Sequence, residues 1–273
     1  MHIRRNKILH TVPVVEQSVD SLKDLPYIPA KPLSAKNFSM YIVGFASSGK
    51  STLMLSMLLS HPTRRKPDTP RFYYRYFDNI YLFSPSKQTL PLDKLKLDPA
   101  HLYDKYTDED LDEIIEAERE DENLNNLIIL DDSIKQIKNR PSFHKLILNR
   151  RHITHNCERE GQAGLSVIVM SQKYNALDLI ARTNMSDVIL FRTENAKELR
   201  AIKEELMSDL SPEEQDAVLK LAWDKKYSFL YIKAYCGKQD RYYRMFDKIV
   251  FDPPEGEEGE MVEEEECGCK DAK

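Results

Sequence analysis

The chain has 273 residues, of which 41% are hydrophobic and 31% charged, and its formal net charge is −5 at pH 7. This length suits one large α/β domain or two small ones, and the composition is typical of a soluble globular protein. No apolar run approaches the roughly 20 residues of a membrane-spanning helix, so we expect no membrane span. The four cysteines form no disulfide framework and no zinc motif, which indicates a reducing compartment.

The two ends of the chain differ from its middle. Residues 1–37 contain four prolines, which prevent a long helix, and we predict an extended leader there. Residues 252–273 carry a charge of −8, so the other 251 residues carry about +3. We predict a disordered acidic tail over this range and a folded domain over 38–251. A nucleic-acid-binding surface on that domain is compatible with the acidic overall charge.

The strongest motif follows the first predicted strand, at about residues 38–44. It reads Gly-x-x-x-x-Gly-Lys-Ser and leads into helix-forming residues that extend to about Ser60. In this context the loop N–H groups and the helix dipole hold phosphates, while the lysine reaches the β- and γ-phosphates and the serine hydroxyl binds Mg²⁺. We therefore predict a site for ATP and Mg²⁺. The predicted nucleotide-binding residues are Gly44, Phe45, Ala46, Ser47, Ser48, Gly49, Lys50, Ser51 and Thr52.

Residues 62–76, the basic segment, combine five basic residues with four aromatic ones. Such a segment can bind a phosphate backbone and stack on bases. It can equally form a solvated loop whose aromatic side chains pack on the sheet, or a subunit interface. The sequence leaves these alternatives open.

Two aspartates follow a buried strand in the middle of the chain. A second strand is predicted at 79–83 and an acidic surface helix at about 108–121. The apolar run 127–130 does not alternate, as in a strand buried on both faces of a parallel sheet. Asp131 and Asp132 come at the end where ligands bind in open α/β sheets. We predict that Asp131 binds Mg²⁺ and that Asp132 polarises the attacking water; a helix cap followed by a turn is the alternative.

Two further polar positions lie beyond these aspartates. A predicted helix ends near Arg150 and Arg151, where an arginine can stabilise charge on a neighbouring subunit's γ-phosphate, contact DNA or cap the helix. The strand predicted at 165–170 leads to Gln172, which is placed to sense the γ-phosphate or to orient water.

The remaining pattern completes an α/β fold. It predicts a strand at 186–191, helices at 194–207 and 211–220, and a hairpin formed by 229–233 and 242–246. The fold class is therefore a P-loop NTPase with a mostly parallel central sheet flanked by helices and a C-terminal β-hairpin.

In this order the motifs resemble the genome-packaging ATPases of poxviruses and other nucleo-cytoplasmic large DNA viruses, within the FtsK/HerA group of P-loop translocases. The resemblance covers about residues 38–251. The motifs that carry it are Gly44–Ser51, Ile80–Pro85, Ile128–Asp132, Arg151–His152, Val167–Gln172 and Phe229–Ile249.

The resemblance implies an additional-strand, RecA-like ATPase that assembles as a hexameric ring and pumps double-stranded DNA into a preformed capsid. A capsid or portal-vertex protein is the implied partner, and the virion or the cytoplasmic viral factory the implied location. The implied catalytic residues are Lys50, Asp131, Asp132, Arg151 as a trans-acting arginine, and Gln172 as the sensor; Ser51 and Asp131 hold the metal. Two positions depart from the family pattern: Ser47 replaces a frequent glycine, and Asp132 stands where the group often has glutamate.

Three other functions share the phosphate-binding loop. A HerA-like helicase or repair motor has the same chemistry, but this chain lacks the expected N-terminal barrel. A small-molecule or nucleotide kinase needs an arginine-rich lid instead of the Asp-Asp strand and the later glutamine. A nucleotide-gated structural subunit would bind ATP without hydrolysing it.

Overall fold

A computed structural model of the chain describes residues 25–120, 125–153 and 165–251. The first 24 residues of the predicted leader and the predicted acidic tail, 252–273, lie outside the described residues. Within the described part, no helix is both long enough and apolar enough to cross a membrane.

One sheet forms the centre of the described structure. Its strands are β1 (Ser39–Val43), β2 (Ile80–Phe83), β3 (Leu102–Tyr103), β4 (Asn126–Asp131), β5 (Leu165–Ser171), β6 (Asp187–Phe191), β7 (Phe229–Lys233), β8 (Tyr242–Arg244) and β9 (Asp247–Lys248). They lie in the order β3-β2-β4-β5-β1-β6-β7-β8-β9. The first six in this order are mutually parallel, and each of β7, β8 and β9 is antiparallel to the strand before it in the order. The predicted mostly parallel sheet with a C-terminal hairpin is confirmed.

The strand order places β5 between β1 and β4. Val43 at the end of β1 pairs with Ser171 at the end of β5, and Asp131 at the end of β4 pairs with Met170. The strand that carries the aspartates is therefore separated from the loop strand by one additional strand. Since these strands are parallel, their carboxyl ends lie along the same edge of the sheet, here called the carboxyl edge.

Helices cover both faces, because the central strands are apolar on both sides. They are α1 (Lys50–Leu59), α2 (Leu92–Leu95), α3 (Asp108–Glu120), α4 (Ile134–Ile137), α5 (Pro141–Asn149), α6 (Leu179–Thr183), α7 (Ala196–Leu206), α8 (Pro212–Ala222) and α9 (Lys238–Arg241). Residues of α3 to α8 pack on one face of the sheet, and α1 packs on the other.

The basic segment crosses the face that α1 covers. Its aromatic residues Phe72, Tyr73 and Tyr76 are buried in that core, so the packing alternative is correct for these three rings. The Tyr73 hydroxyl donates to Ser34 O at 2.7 Å, and the Tyr76 hydroxyl donates to Ala35 O at 2.6 Å. These bonds fix residues of the predicted leader against the domain.

Two local features differ from the prediction. No strand was predicted between 83 and 108, but the two residues of β3 pair in parallel with β2. The helix expected to end near Arg150 does end at Asn149, but the Arg150 side chain, which was expected to be available at the helix end, is buried.

Candidate active site

The loop after β1 requires glycine at its first position. Gly44 N donates to Ser171 O at 3.0 Å, which fixes the loop to the end of β5. A Cβ on Gly44 would lie 2.4 Å from Ser48 Oγ and 2.8 Å from Phe191 Cβ. Any side chain at this position would therefore displace the loop.

Two loop residues adopt the left-handed conformation. Gly49, just before α1, has φ +106°, which a residue without Cβ adopts at no steric cost. Ser47 has φ +63°, a value that is uncommon for residues other than glycine. This explains why glycine is frequent at the Ser47 position: Ser47 makes the same turn with a steric cost.

The N-terminus of α1 fits an anionic ligand. It has no side-chain cap and no acidic residue in its first turn, so its first N–H groups and the positive end of the helix dipole are available to phosphate. Ser48, which precedes this turn, is only 4% exposed. Its hydroxyl has no hydrogen-bond partner among the described residues. Buried hydroxyl groups are usually hydrogen-bonded, so a bound ligand is one explanation for this unpaired group.

Lys50 is held over the loop. Its Nζ donates to Gly44 O at 2.6 Å and to Phe45 O at 3.1 Å. Burial lowers the pKa of Lys50, while the nearby carboxylates of Asp132 and Asp131 act in the opposite direction. The ammonium group therefore contacts the loop carbonyls and lies close enough to both aspartates for their charges to act on it.

Asp131 is a buried carboxylate at the end of β4. It is 7% exposed and accepts a hydrogen bond from Ser84 Oγ at 3.0 Å. Burial raises the pKa of Asp131, whereas the Ser84 hydrogen bond lowers it. Repulsion from Asp132 also raises this pKa, and the attraction of Lys50 lowers it. A cation would offset the cost of burying this charge.

The side-chain oxygens near the loop are of the kind that bind Mg²⁺ together with a nucleotide. Among the described residues, no three His, Cys, Asp or Glu side chains form a metal-binding group. Mg²⁺ typically takes one or two carboxylates together with substrate phosphates and water. The Asp131 carboxylate at the end of β4 and the Ser51 hydroxyl in the first turn of α1 are oxygen donors suited to such a set.

Asp132 and Gln172 meet across the carboxyl edge. Asp132 is exposed. Its φ of +52° shows that the backbone turns directly after β4, which ends at Asp131. The Gln172 amide nitrogen lies 3.3 and 3.2 Å from the two Asp132 oxygens and donates to them. The candidate catalytic acid and the candidate sensor are therefore in contact, although 40 residues separate them.

Arg151 lies at the opposite edge. Leu165 N, at the start of β5, donates to Arg150 O at 2.9 Å. β5 has seven residues, which span about 20 Å at roughly 3.3 Å per residue. Arg151 is exposed and is too far from Lys50 to contribute to the site of the same copy.

Arg150, by contrast, has a structural position. Its guanidinium is buried and donates to Asn37 O and to Ile147 O, both at 2.7 Å. It therefore joins the end of α5 to Asn37, two residues before β1. Of the two adjacent arginines, only Arg151 presents its side chain to solvent.

Sequence reasoning did not single out Ser84 as a functional residue. Ser84 follows β2, and its backbone N donates to Tyr103 O, which fixes it at the carboxyl edge beside Asp131. The available signal was its place directly after a parallel strand.

The sheet order and the loop define a P-loop NTPase fold with an additional strand. The chain is similar to the solved genome packaging NTPase B204 from Sulfolobus turreted icosahedral virus 2 in complex with AMP, at 18% identity and a TM-score of 0.50, covering 80% of this chain and 100% of that one. It is also similar to B204, the DNA-packaging ATPase from Sulfolobus Turreted Icosahedral Virus, at 17% identity and a TM-score of 0.51, covering 74% and 94%. No protein-family model matches the chain, and no curated protein does. At these identities the similarity shows the fold.

Proposed function

We propose that this protein is an ATP-hydrolysing motor that moves double-stranded DNA and packages a viral genome into a preformed capsid. The observation that carries the proposal is the convergence of Lys50, Asp131, Asp132 and Gln172 at one edge of the sheet. A site for nucleotide binding alone does not require the Asp132–Gln172 pair.

Each of these side chains has a role in this proposal. The α1 N-terminus and Lys50 bind and orient the phosphates, and Ser51 and Asp131 hold Mg²⁺, which neutralises phosphate charge when bound. Asp132 accepts a hydrogen bond from the attacking water and orients it. Gln172 fixes the Asp132 carboxylate and couples its position to the end of β5.

The proposed DNA contact is the basic segment. Arg64, Arg65 and Lys66 are exposed, and none of the ion pairs of the described residues includes them. Cations without protein partners suit a phosphate backbone, which supplies sequence-independent affinity. The similarity to two viral packaging enzymes supports genome packaging as the purpose of this motor.

The motor is proposed to act as a ring, with six copies as the working stoichiometry. Arg151 lies at the edge opposite the nucleotide site, so a neighbouring copy has to supply this charge if Arg151 acts in catalysis. A capsid or portal-vertex protein is the proposed docking partner, and the virion or the cytoplasmic viral factory the proposed location.

Measuring ATP hydrolysis with and without double-stranded DNA tests the proposal. We expect hydrolysis that DNA stimulates, that Lys50→Ala abolishes and that Lys145→Ala, which changes an exposed lysine of α5, leaves intact. Stimulation only by a small phosphate acceptor would identify a kinase. ATP binding without turnover would identify a nucleotide-gated subunit, and either result would refute the motor.

A further inference from the structure

Tyr227 is an exposed aromatic residue in an unusual backbone conformation. It lies in the turn between α8 and β7, its side chain is 54% exposed, and its φ is +70°. Bulky residues rarely adopt such a φ. Strained residues of this kind occur preferentially at binding and catalytic sites, so an observed outlier calls for a functional explanation.

The ring of Tyr227 lies beside the phosphate-binding loop. A Cβ on Gly49 would be 3.5 Å from Tyr227 Cδ1, which is van der Waals contact. Gly49 directly precedes Lys50, so the ring flanks the N-terminus of α1. The Lys226 ammonium lies 4.8 Å from the centre of the same ring and adds positive charge at this side of the loop.

The surrounding turn fixes the position of the ring. Ser228 Oγ donates to Lys225 O at 2.6 Å and accepts from Lys225 N at 3.2 Å. Asp224 accepts hydrogen bonds from Arg244 at 2.9 and 3.0 Å, which ties the start of the turn to β8. These contacts hold Tyr227 in its strained conformation before any ligand binds, as expected for a preorganised site.

We propose that Tyr227 is the platform on which the base of the bound nucleotide stacks. This inference rests on the proposed function, because it needs a nucleotide whose phosphates lie at the α1 N-terminus. The ring of Tyr227, on the Gly49 side of the loop, is then close enough for the attached base to stack on it. Aromatic stacking accepts any base, because every base has a π-face, so Tyr227 supplies affinity without selecting adenine over guanine.

Two substitutions separate the ring from the backbone strain. Tyr227→Asn removes the ring and keeps a residue that tolerates positive φ, while Tyr227→Phe keeps the ring and removes the hydroxyl. The ligands are MgATP, MgGTP and magnesium tripolyphosphate, which has no base, and calorimetry measures the Kd of each. We expect Tyr227→Asn to raise the Kd of both nucleotides about tenfold and to leave tripolyphosphate unchanged. Tyr227→Phe should stay within about twofold of the original protein for every ligand.

A matched control is Tyr235→Asn. Tyr235 is 64% exposed but follows the end of β7, at the edge of the sheet away from the loop, so we expect unchanged Kd values. Equal losses of nucleotide and tripolyphosphate in Tyr227→Asn would overturn the platform, as would no loss at all. If the unmodified protein binds neither MgATP nor tripolyphosphate, the proposed function fails as well. If it binds both and Tyr227→Asn matches it, only the platform fails.

Discussion

At the scale of single residues, Gly44 is the position where the loop least tolerates a side chain. In Gly44→Ala the new Cβ would clash with Ser48 Oγ and Phe191 Cβ at 2.4 and 2.8 Å. We expect the free energy of unfolding to fall by about 1–3 kcal/mol, the usual cost of overpacking, and ATP binding to be lost. Denaturant unfolding and calorimetry measure these two effects.

The control for this substitution is Gly237→Ala. A Cβ on Gly237 would meet no atom within 4 Å, and its φ of −67° suits alanine. We expect this variant to be as stable as the original protein or up to about 1 kcal/mol more stable. Similar losses in the two variants would show that the clash at Gly44 is not the cause.

Asp131 is a carboxylate whose charge is costly to bury. Burial raises the pKa of Asp131, so the folded state keeps this proton at a pH where the unfolded chain has lost it. The stability that Asp131 contributes is thus present below the ordinary aspartate pKa of about 3.9 and is lost as the pH rises through the raised value. An asparagine side chain stays neutral over this pH range, and its amide oxygen can still accept the hydrogen bond from Ser84.

We therefore predict that Asp131→Asn is more stable than the original protein at neutral pH without ligand, by roughly 0.5–2 kcal/mol. The gain should shrink as the pH falls from neutrality through the raised pKa of Asp131, because the native carboxyl then also becomes neutral. Urea unfolding across this pH range measures it, and ATP hydrolysis by the variant should be lost. An original protein that is the more stable of the two at pH 7 would contradict the assignment of Asp131 as a buried, costly charge.

The residues of the site were predictable where a spacing encodes them. Lys50 belongs to a motif of fixed length, and Asp131 ends an apolar run, so both stood out in the sequence. Ser84 and Tyr227 are single residues in turns, and their proximity to the site arises from strand order and from the path of a later loop. The position of Ser84 directly after a strand indicates the carboxyl edge, but no local pattern shows that either residue lies beside the site.

At the scale of elements, the five parallel strands that the sequence predicted agree with the structure within one residue at each end. These strands are continuous apolar runs because both of their faces are buried. The start of α8 was predictable in the same way, because Ser211 and Glu214 form a hydrogen-bonded capping box there.

β3 was missed because it has only two residues, too few for any periodicity. It is a strand because Leu102 and Tyr103 pair with β2, which is a tertiary contact. The order of the strands is tertiary as well: apolar runs identify strands but not their neighbours. The additional strand between β1 and β4 was therefore expected from the family resemblance alone.

The basic segment is the element whose role is most directly testable. Substituting Arg64 and Arg65 together by alanine removes two exposed cations, and each lost phosphate contact should make the slope of log affinity against log salt shallower by about 0.9. We expect weaker binding to double-stranded DNA, a slope reduced by about 2 and no dependence on DNA sequence. Fluorescence anisotropy over a series of salt concentrations measures this.

A double substitution of Lys145 and Lys220 is the matched control. Both lysines are exposed, but they lie on α5 and α8, the layer that packs on the other face of the sheet from α1 and the basic segment. This variant has the same change in net charge, so we expect an unchanged slope. Equal slopes in the two double variants would mean that DNA binds elsewhere or responds only to total charge.

At the scale of the whole molecule, the sheet separates the two proposed halves of the catalytic site. Lys50, Asp131 and Gln172 lie at the carboxyl edge, and Arg151 lies about 20 Å away at the amino ends of the strands. Both halves can meet only if the carboxyl edge of one copy faces the amino edge of the next. Contacts of this head-to-tail kind generate closed rings when the rotation between copies closes, which is the assembly that the proposed motor needs.

The division of the site between copies predicts that two inactive variants restore each other. We expect Arg151→Ala to bind ATP with unchanged affinity and to lose turnover, while Lys50→Ala loses binding. In an equal, random mixture, about a quarter of the head-to-tail interfaces join an intact loop to an intact Arg151, so hydrolysis should reappear. Mixing Lys50→Ala with Asp131→Asn is the control, because both changes affect the same half and no interface is complete. Hydrolysis at the normal rate by Arg151→Ala alone, or none in the first mixture, would show that Arg151 does not act across the interface.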